Sequence, residues 1–426
     1  MGALLCRTAI STNIRERLDF SCALLDPKGR LLSSAPHIPV HLGALGVCVR
    51  EVAAAVSMQP GDTIITNHPA FGGSHLPDVT LITPVFQNDT LLGYIANRAH
   101  HAEIGGITPG SMPPFSTRIE EEGVQIDNVK LVEGGVLREA EMVALLQSGE
   151  YPSRNPAQNI ADLKAQIAAN EKGVQELRRM VDQFGLDVVQ AYMRHVQDNA
   201  EESVRRVITR LQDGAFTLPL DNGAQIAVTI RVDAQARSAV IDFTGTSPQQ
   251  ANNFNAPRAV CMAAVLYVFR TLVDDDIPLN AGCLKPLKVI IPEGSMLNPN
   301  PPASVVAGNV ETSSCITNAL YGALGVMAAS QCTMNNFTFG NERHQYYETI
   351  SGGSGAGVTA ASVVPRHTWD ALLRVYAVHG IPAAADAFAP FGYRQESVAS
   401  ATRGEGSFTL CPNPRSGRRS TVQSTT

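Results

Sequence analysis

Two runs rich in β-branched and aromatic residues, Val79 to Phe86 and Leu91 to Ala96, flank the turn-forming cluster Gln87-Asn88-Asp89-Thr90. This pattern predicts an antiparallel hairpin. With the turn centred near Asn88-Asp89, Asp78 falls opposite a residue close to His100, and directly opposed residues share a face of the sheet. Upstream, Leu18 to Leu25 reads as a strand, Asp26-Pro27-Lys28-Gly29 as a turn, a second strand starts at Arg30, and a helix runs from about Leu42 to Val56. Downstream, Val124 to Val132 returns as a strand. From Pro156 the period becomes helical: Ile160, Leu163, Ile167, Val174, Leu177 and Val181 recur at three-, four- and seven-residue steps. Phe184-Gly185 breaks that stripe, and Val188, Tyr192, Val196, Val204, Val207 and Leu211 carry a second helix to a stop at Gly214. Strands follow at Ala224 to Val232, Ser238 to Thr244 and Leu284 to Pro292, with helices at about Arg258 to Val273 and Gly308 to Ala329. The expected fold is mixed α/β: a strand-rich N-terminal domain over 1–150, a long helical hairpin over 151–214, a second α/β lobe over 215–357, and an atypical tail over 358–426.

Composition narrows the function classes. A chain of 426 residues has room for two or three domains. Charged residues make up 17%, below the usual quarter, and the net charge is −6, which fits a subunit that buries surface against partners and argues against nucleic-acid binding. Eight cysteines without a Cys-x-x-Cys pair form no disulfide framework, so a reducing cytoplasm is the expected compartment. The opening Met-Gly-Ala-Leu-Leu-Cys-Arg has too short an apolar run for a signal peptide, and Cys6 stands where a myristoylation motif wants Ser or Thr. No run approaches 18 apolar residues, so no membrane span is expected.

The candidate chemistry sits around the predicted hairpin, because residues 67–106 hold four of the ten histidines. His75 precedes Asp78 by three residues, and Pro77 between them stiffens the approach to the strand. Imidazole and carboxylate donors suit a divalent ion such as Zn, Mn or Fe, and three protein ligands with an open position describe a catalytic site. His75, Asp78 and His100 are therefore the candidate ligands; an N-cap or a surface hydrogen-bonding pair is the plainer reading of His-x-x-Asp. His101 points to the opposite face, towards the surroundings of the ligands or towards substrate. Gly72, Gly73, Gly105 and Gly106 flank both limbs as turns or places of close approach. Asp19, among apolar neighbours, needs a partner if buried: a salt bridge to Arg15 or Arg17, or a metal. Glu120-Glu121-Glu122 reads as a solvated face or a contact for a cation. Asp274-Asp275-Asp276 reads as an exposed loop, and the amides opening at Gly308 read as an ordinary helix start or an anion site.

Blocks along the chain carry a resemblance: Arg17-Leu-Asp-Phe-Ser21, His37-Ile-Pro-Val-His-Leu-Gly43, Gly72-Gly-Ser-His-Leu-Pro-Asp-Val79, Arg98-Ala-His-His-Ala-Glu-Ile-Gly-Gly106, Gly110-Ser-Met-Pro113, Ile277-Pro-Leu-Asn280, Val306-Ala-Gly-Asn-Val-Glu-Thr312, Thr333-Met-Asn-Asn336 and Tyr346-Tyr-Glu-Thr349. Together, over about residues 1–356, the chain resembles the hydantoinase B/oxoprolinase family, the B subunit of ATP-dependent hydantoinases and the C-terminal half of 5-oxoprolinase, related to the acetone carboxylase α subunit. The resemblance implies a hetero-oligomer in which an A-type ATPase subunit or domain holds ATP and phosphorylates a small cyclic amide. The B-type component then admits water to the activated carbon and opens the ring. It also implies metal ligands at His75, Asp78 and His100 with Asp19 as a fourth, and proton transfer or substrate contact by His101 and Glu103. The same metal motif also fits a carboxylase subunit acting on a ketone enol phosphate, and the low charge together with the departing C-terminus points to a third expectation, an inactive assembly subunit. Residues 358–426 depart from the resemblance as an Ala/Pro/Arg/Ser-rich tail, expected to be disordered in its last stretch and to stem from a frameshift or misjoined reading frame.

Overall fold

A computed structural model describes residues 1–350 apart from 36–37, 88, 331 and 341–344, together with the short strands Phe408–Thr409 and Thr421–Val422. His37, Asn88 and most of the 358–426 tail thus lie outside the described residues. Two compact units divide at Val326/Met327. The first opens with helices α1 (Gly2–Thr8) and α2 (Thr12–Arg15), strands β1 (Phe20–Leu25) and β2 (Leu31–Ala35), helix α3 (Pro39–Ala55) and strand β3 (Thr63–Thr66). The predicted hairpin follows as β4 (Asp78–Gln87) and β5 (Thr90–His100), then β6 (Val129–Glu133), β7 (Val136–Leu137) and α4 (Glu139–Leu146). Strands β1 to β7 form one antiparallel sheet in the order β2-β1-β5-β4-β3-β6-β7. The hairpin occupies its centre.

Period-2 alternation sends the two faces of that sheet to different helices. Ile64, Ile82 and Ala96 pack with Leu45, Cys48, Val49 and Val52 of α3. On the other face, Val79, Leu81 and Ile65 pack against Ile160 and Leu163, and Val85, Leu92 and Ile95 against Val174, Leu177 and Val181. These residues belong to α5 (Pro156–Phe184), which with α6 (Leu186–Ile208) forms the expected helical hairpin around Gly185. The second helix stops at Ile208 rather than Gly214, because Gly214 opens strand β8 (Gly214–Pro219). Strands β8, β9 (Gln225–Asp233), β10 (Ser238–Asp242) and β11 (Leu287–Ile290) make a second sheet, in which β10 and β11 run parallel. Helix α7 (Arg258–Thr271) packs on α3, and a π-helical turn over Gly308–Thr312 leads into α8 (Ser313–Leu324). The second unit carries the paired strands β12 (Asn335–Gly340) and β13 (Gln345–Ile350).

The hairpin's second limb is longer than its apolar run foretells. Strand β5 continues through Asn97-Arg98 to His100 because both polar side chains find buried partners. Asn97 Nδ2 donates to the Gln166 carbonyl (2.8 Å) and Asn170 Oδ1 (2.7 Å) of α5, while Arg98 donates to Thr80 Oγ1 (2.8 Å) and the Gly72 carbonyl (2.8 Å). Paired in this way, they cost far less to bury than their chemistry suggests. Among the described residues no helix is long and apolar enough to cross a membrane.

Candidate metal centre

Asp78 begins β4 and His100 ends β5, and the two are direct Cα partners in the ladder. They therefore share the α3 face at one end of the sheet. His75 arrives from the loop between β3 and β4. Gly72 makes that approach feasible: its φ is +83°, and a Cβ there would lie 2.6 Å from the backbone of Cys48 in α3. As a result, His75, Asp78 and His100, all at most 5% exposed, each offer a ligand atom, with these atoms within 4.8 Å of one another. The His75 and His100 rings meet edge to face at 5.1 Å between centroids.

The surroundings orient this trio. Asp78 Oδ2 accepts from Ser74 Oγ at 2.5 Å and lies 3.2 Å from His41 Nε2 and 3.3 Å from His75 Nε2. Arg98, itself fully buried, reaches Ser74 Oγ at 3.4 Å. His100 Nδ1 lies 2.9 Å from the His101 carbonyl and 3.0 Å from Asn13 Nδ2. Tying one ring nitrogen to a backbone carbonyl makes the opposite nitrogen the one a metal meets. Burial pushes the His100 pKa down to about 4, so this ring is neutral, as a ligand must be. Burial opposes the ionisation of Asp78, but the His75 and His41 charges outweigh it and hold the carboxyl well below the usual range. For His75, burial pulls the pKa down and the Asp78 carboxylate more than reverses this.

The trio fits a divalent cation by donor type, since two imidazoles and a carboxylate are the set expected for Zn, Mn or Fe. It also fits by what is left over. His75 Nδ1, Asp78 Oδ1 and the neighbouring Asn309 Oδ1 are buried without a hydrogen-bond partner. Buried polar atoms are nearly always paired. Two of them, Asp78 Oδ1 and Asn309 Oδ1, belong to residues that approach His75 Nε2 and so fit a site that also takes a group protein atoms do not supply.

The other candidates stand apart from this cluster. Asp19 pairs with Arg17 at 3.6 Å, the plainer of its two expected partners; its backbone carbonyl accepts from the His100 amide at 3.0 Å, and its charge favours protonation of both His75 and His100. His101 faces α5, as its position predicts, with Nε2 3.0 Å from Gln166 Oε1 and Nδ1 3.1 Å from Asn159 Nδ2. Glu103 accepts from Ser153 Oγ and from the amides of Arg154, Asn155 and Gly105, at the entry to α5. Asp274 to Asp276 lie exposed beyond the end of α7. Three further buried residues carry no assignment from the sequence. His41 sits in the first turn of α3. Asn309, on the π-helical turn, brings Nδ2 to 3.1 Å from His75 Nε2. Glu122 corrects the solvated-face reading of the Glu120–Glu122 run: it is fully buried, accepts from Ser116 Oγ and the amides of Val305 and Val306, and burial pushes its pKa up to about 7. A charge run gives no sign of which member turns inward; the turn over Ile119–Glu121 decides that.

A cavity of about 130 Å³ lies beside the segments that carry the site, lined by Gly72, Val305, Ile119, Glu51, His68 and Arg258 among others.

The chain is similar to known proteins over most of its length. It is 49% identical over 385 residues to 5-oxoprolinase 1 of Arabidopsis thaliana, covering 84% of this chain and 30% of that protein. It therefore spans less than a third of that relative. In fold it is similar to an ATP-dependent caprolactamase from Pseudomonas jessenii, with a TM-score of 0.72 and 24% identity over 83% of this chain and 66% of the other. It is likewise similar in fold to an acetone carboxylase, with a TM-score of 0.70 and 15% identity over 87% of this chain and 55% of the other. The mixed α/β architecture is common to these neighbours. The model of the family described as Hydantoinase B/oxoprolinase matches residues 1–406, so it takes in every described element of the metal centre and runs into the tail that the sequence blocks do not reach. On that match the chain belongs to the hydantoinase B/oxoprolinase family.

Proposed function

We propose that this chain is the metal-dependent, ring-opening component of an ATP-dependent cyclic amidohydrolase of the 5-oxoprolinase/hydantoinase type. The observation that carries the reading is the convergence of His75, Asp78 and His100 at one end of the central sheet. His75, Asp78 and His100 hold the ion, with Asp19 close enough to add its charge. A bound divalent cation supplies a lowered pKa for water and electrostatic stabilisation of a developing oxyanion. The residues around it do the rest. Ser74, His41 and Arg98 fix Asp78 as an ionised carboxylate, and the His101 carbonyl fixes the orientation of the His100 ring. His101 and Glu103 act as positioning groups: their hydrogen bonds fasten the end of β5 to α5 and so hold His100 in register. The substrate is a small cyclic amide, and ATP is used on an A-type partner subunit or domain. The named activity of the 49%-identical relative supports this reading, and so does the ATP-dependent lactam chemistry for which the similarly folded caprolactamase is named.

Co-expression with an A-type subunit, metal quantification on the purified complex, and an ATP-dependent ring-opening assay on 5-oxoproline, hydantoin and simple lactams test it. About one divalent ion per chain and ring opening that is lost in both His75→Ala and Asp78→Asn are expected. A complex that opens these rings at full rate after either substitution would sink the proposal, and bicarbonate fixation onto a ketone in its place would move the chain to the carboxylase class.

A further inference from the structure

We propose that Asn309 is a further protein ligand of the metal centre, contributing its side-chain oxygen; this rests on the metal-centre reading of His75, Asp78 and His100. Asn309 is only 5% exposed, and its Nδ2 lies 3.1 Å from His75 Nε2. Its Oδ1 is buried without a hydrogen-bond partner, as is Asp78 Oδ1. A buried carboxamide with an idle oxygen is costly unless something meets it.

The backbone around Asn309 is held firmly. The Val305 and Val306 amides donate to Glu122, the Ala307 and Gly308 amides donate to the Asn253 carbonyl at 3.0 and 3.1 Å, and Ser313 Oγ donates to the Asn309 carbonyl at 2.6 Å. The turn itself is π-helical, a rare geometry frequently found at functional sites. All of this aims one side chain at His75.

A half-turn of the amide about Cβ–Cγ exchanges Oδ1 with Nδ2 and places the oxygen 3.1 Å from His75 Nε2, the distance now held by the nitrogen. Donors about 2.1 Å from a common ion stand about 3.0–3.4 Å apart at right or tetrahedral angles. The His75 Nε2 to Asp78 Oδ2 separation of 3.3 Å has the same scale. Without an ion, the carboxamide lies against His75 Nε2; with one, its oxygen would join two imidazoles and a carboxylate. A carboxamide oxygen suits the harder ions of the candidate set, Mn(II) above Zn(II). Because Asn309 precedes α8, the ion would tie the hairpin to a segment more than two hundred residues away in sequence.

The test is Mn²⁺ binding to the full-length chain stripped with a chelator, read from the loss of the free Mn²⁺ electron paramagnetic resonance signal, alongside metal-free thermal melting. Asn309→Leu removes both polar atoms while keeping the branched shape, and Asn309→Asp keeps an oxygen. The expected result is Mn²⁺ affinity at least about 10-fold weaker for Asn309→Leu, with an unchanged metal-free melting curve, and affinity equal to or above wild type for Asn309→Asp. Wild-type or tighter affinity in Asn309→Leu would mean that the amide merely covers His75 and overturns the proposal, as would a parallel loss in Asn309→Asp. Asn309→Ala gives the same comparison if the leucine variant does not fold. His75→Ala separates the two layers of inference: if wild type binds no Mn²⁺, or His75→Ala binds as wild type does, the metal-centre reading fails and takes this one with it.

Discussion

At the scale of single residues, burial decides what a polar side chain does. Asp62 is 1% exposed and accepts from the Gln59 amide (3.0 Å), the Gly134 amide (2.9 Å) and Lys130 Nζ (3.0 Å). Burial disfavours its charge, but these donors outweigh burial and lower its pKa. A carboxyl whose folded pKa is depressed adds stability above its unfolded pKa, near 3.9, and loses it as the pH falls through the folded value. Asp62→Ala is therefore expected to cost about 1–3 kcal/mol at pH 7, a gap that narrows only as the pH falls from about 4 through the lower folded value. Urea unfolding at both pH values measures it, and a gap that persists at low pH would assign the loss to packing. His75, Asp78 and His100 were legible as residue types at suggestive spacing. His41, Glu122 and Asn309 were not, since a lone histidine, a glutamate in a charge run and an asparagine at a helix start look the same whether exposed or aimed at a site.

At the scale of elements, the hairpin and the helical pair were legible because their periods differ, 2 against 3.6. What pattern missed is how they join. The face of α5 that meets the sheet is partly an amide ladder: Gln166 Nε2 donates to Asn97 Oδ1 (2.8 Å) and the Val79 carbonyl (3.1 Å), its Oε1 meets His101 Nε2, and Asn170 Nδ2 donates to Thr83 Oγ1 (3.1 Å). Apolar periodicity is blind to such contacts. Gln166→Leu would leave buried partners on His101 and Asn97 unpaired and is expected to cost about 3 kcal/mol, read by chemical denaturation. Helices α3 and α7 cross closely at Gly43, where a Cβ would sit 2.2 Å from the Ala263 Cα. Gly43→Ala should thus destabilise by about 1–3 kcal/mol despite alanine's better helix propensity, and a melting temperature at or above wild type would contradict this crossing.

At the scale of the whole molecule, the candidate metal centre and its neighbours draw on distant stretches of the chain: His41 from α3, His75 and Asp78 before and on β4, His100 from β5, and Asn309 from the turn before α8. An ion that binds only the folded arrangement stabilises all of it together, by about 2.7 kcal/mol at a free concentration 100 times its dissociation constant. Thermal melting with Mn²⁺ or Zn²⁺ against a chelator should show an upward shift in wild type and none in Asp78→Asn; equal shifts in both would place the ion elsewhere. The sequence by itself determined the mixed α/β class, the hairpin and its register, and the three residues that converge at its end, because a two-residue repeat and a short turn fix which residues face each other across adjacent strands. Only the tertiary structure decided that His101 and Glu103 hydrogen-bond at the junction with α5, that Asn97 and Arg98 continue a buried strand, that Glu122 is buried against the Val305 and Val306 amides, and that Asn309 lies beside His75. Those outcomes depend on which distant groups are near enough to satisfy a buried polar atom, and no local pattern encodes that distance.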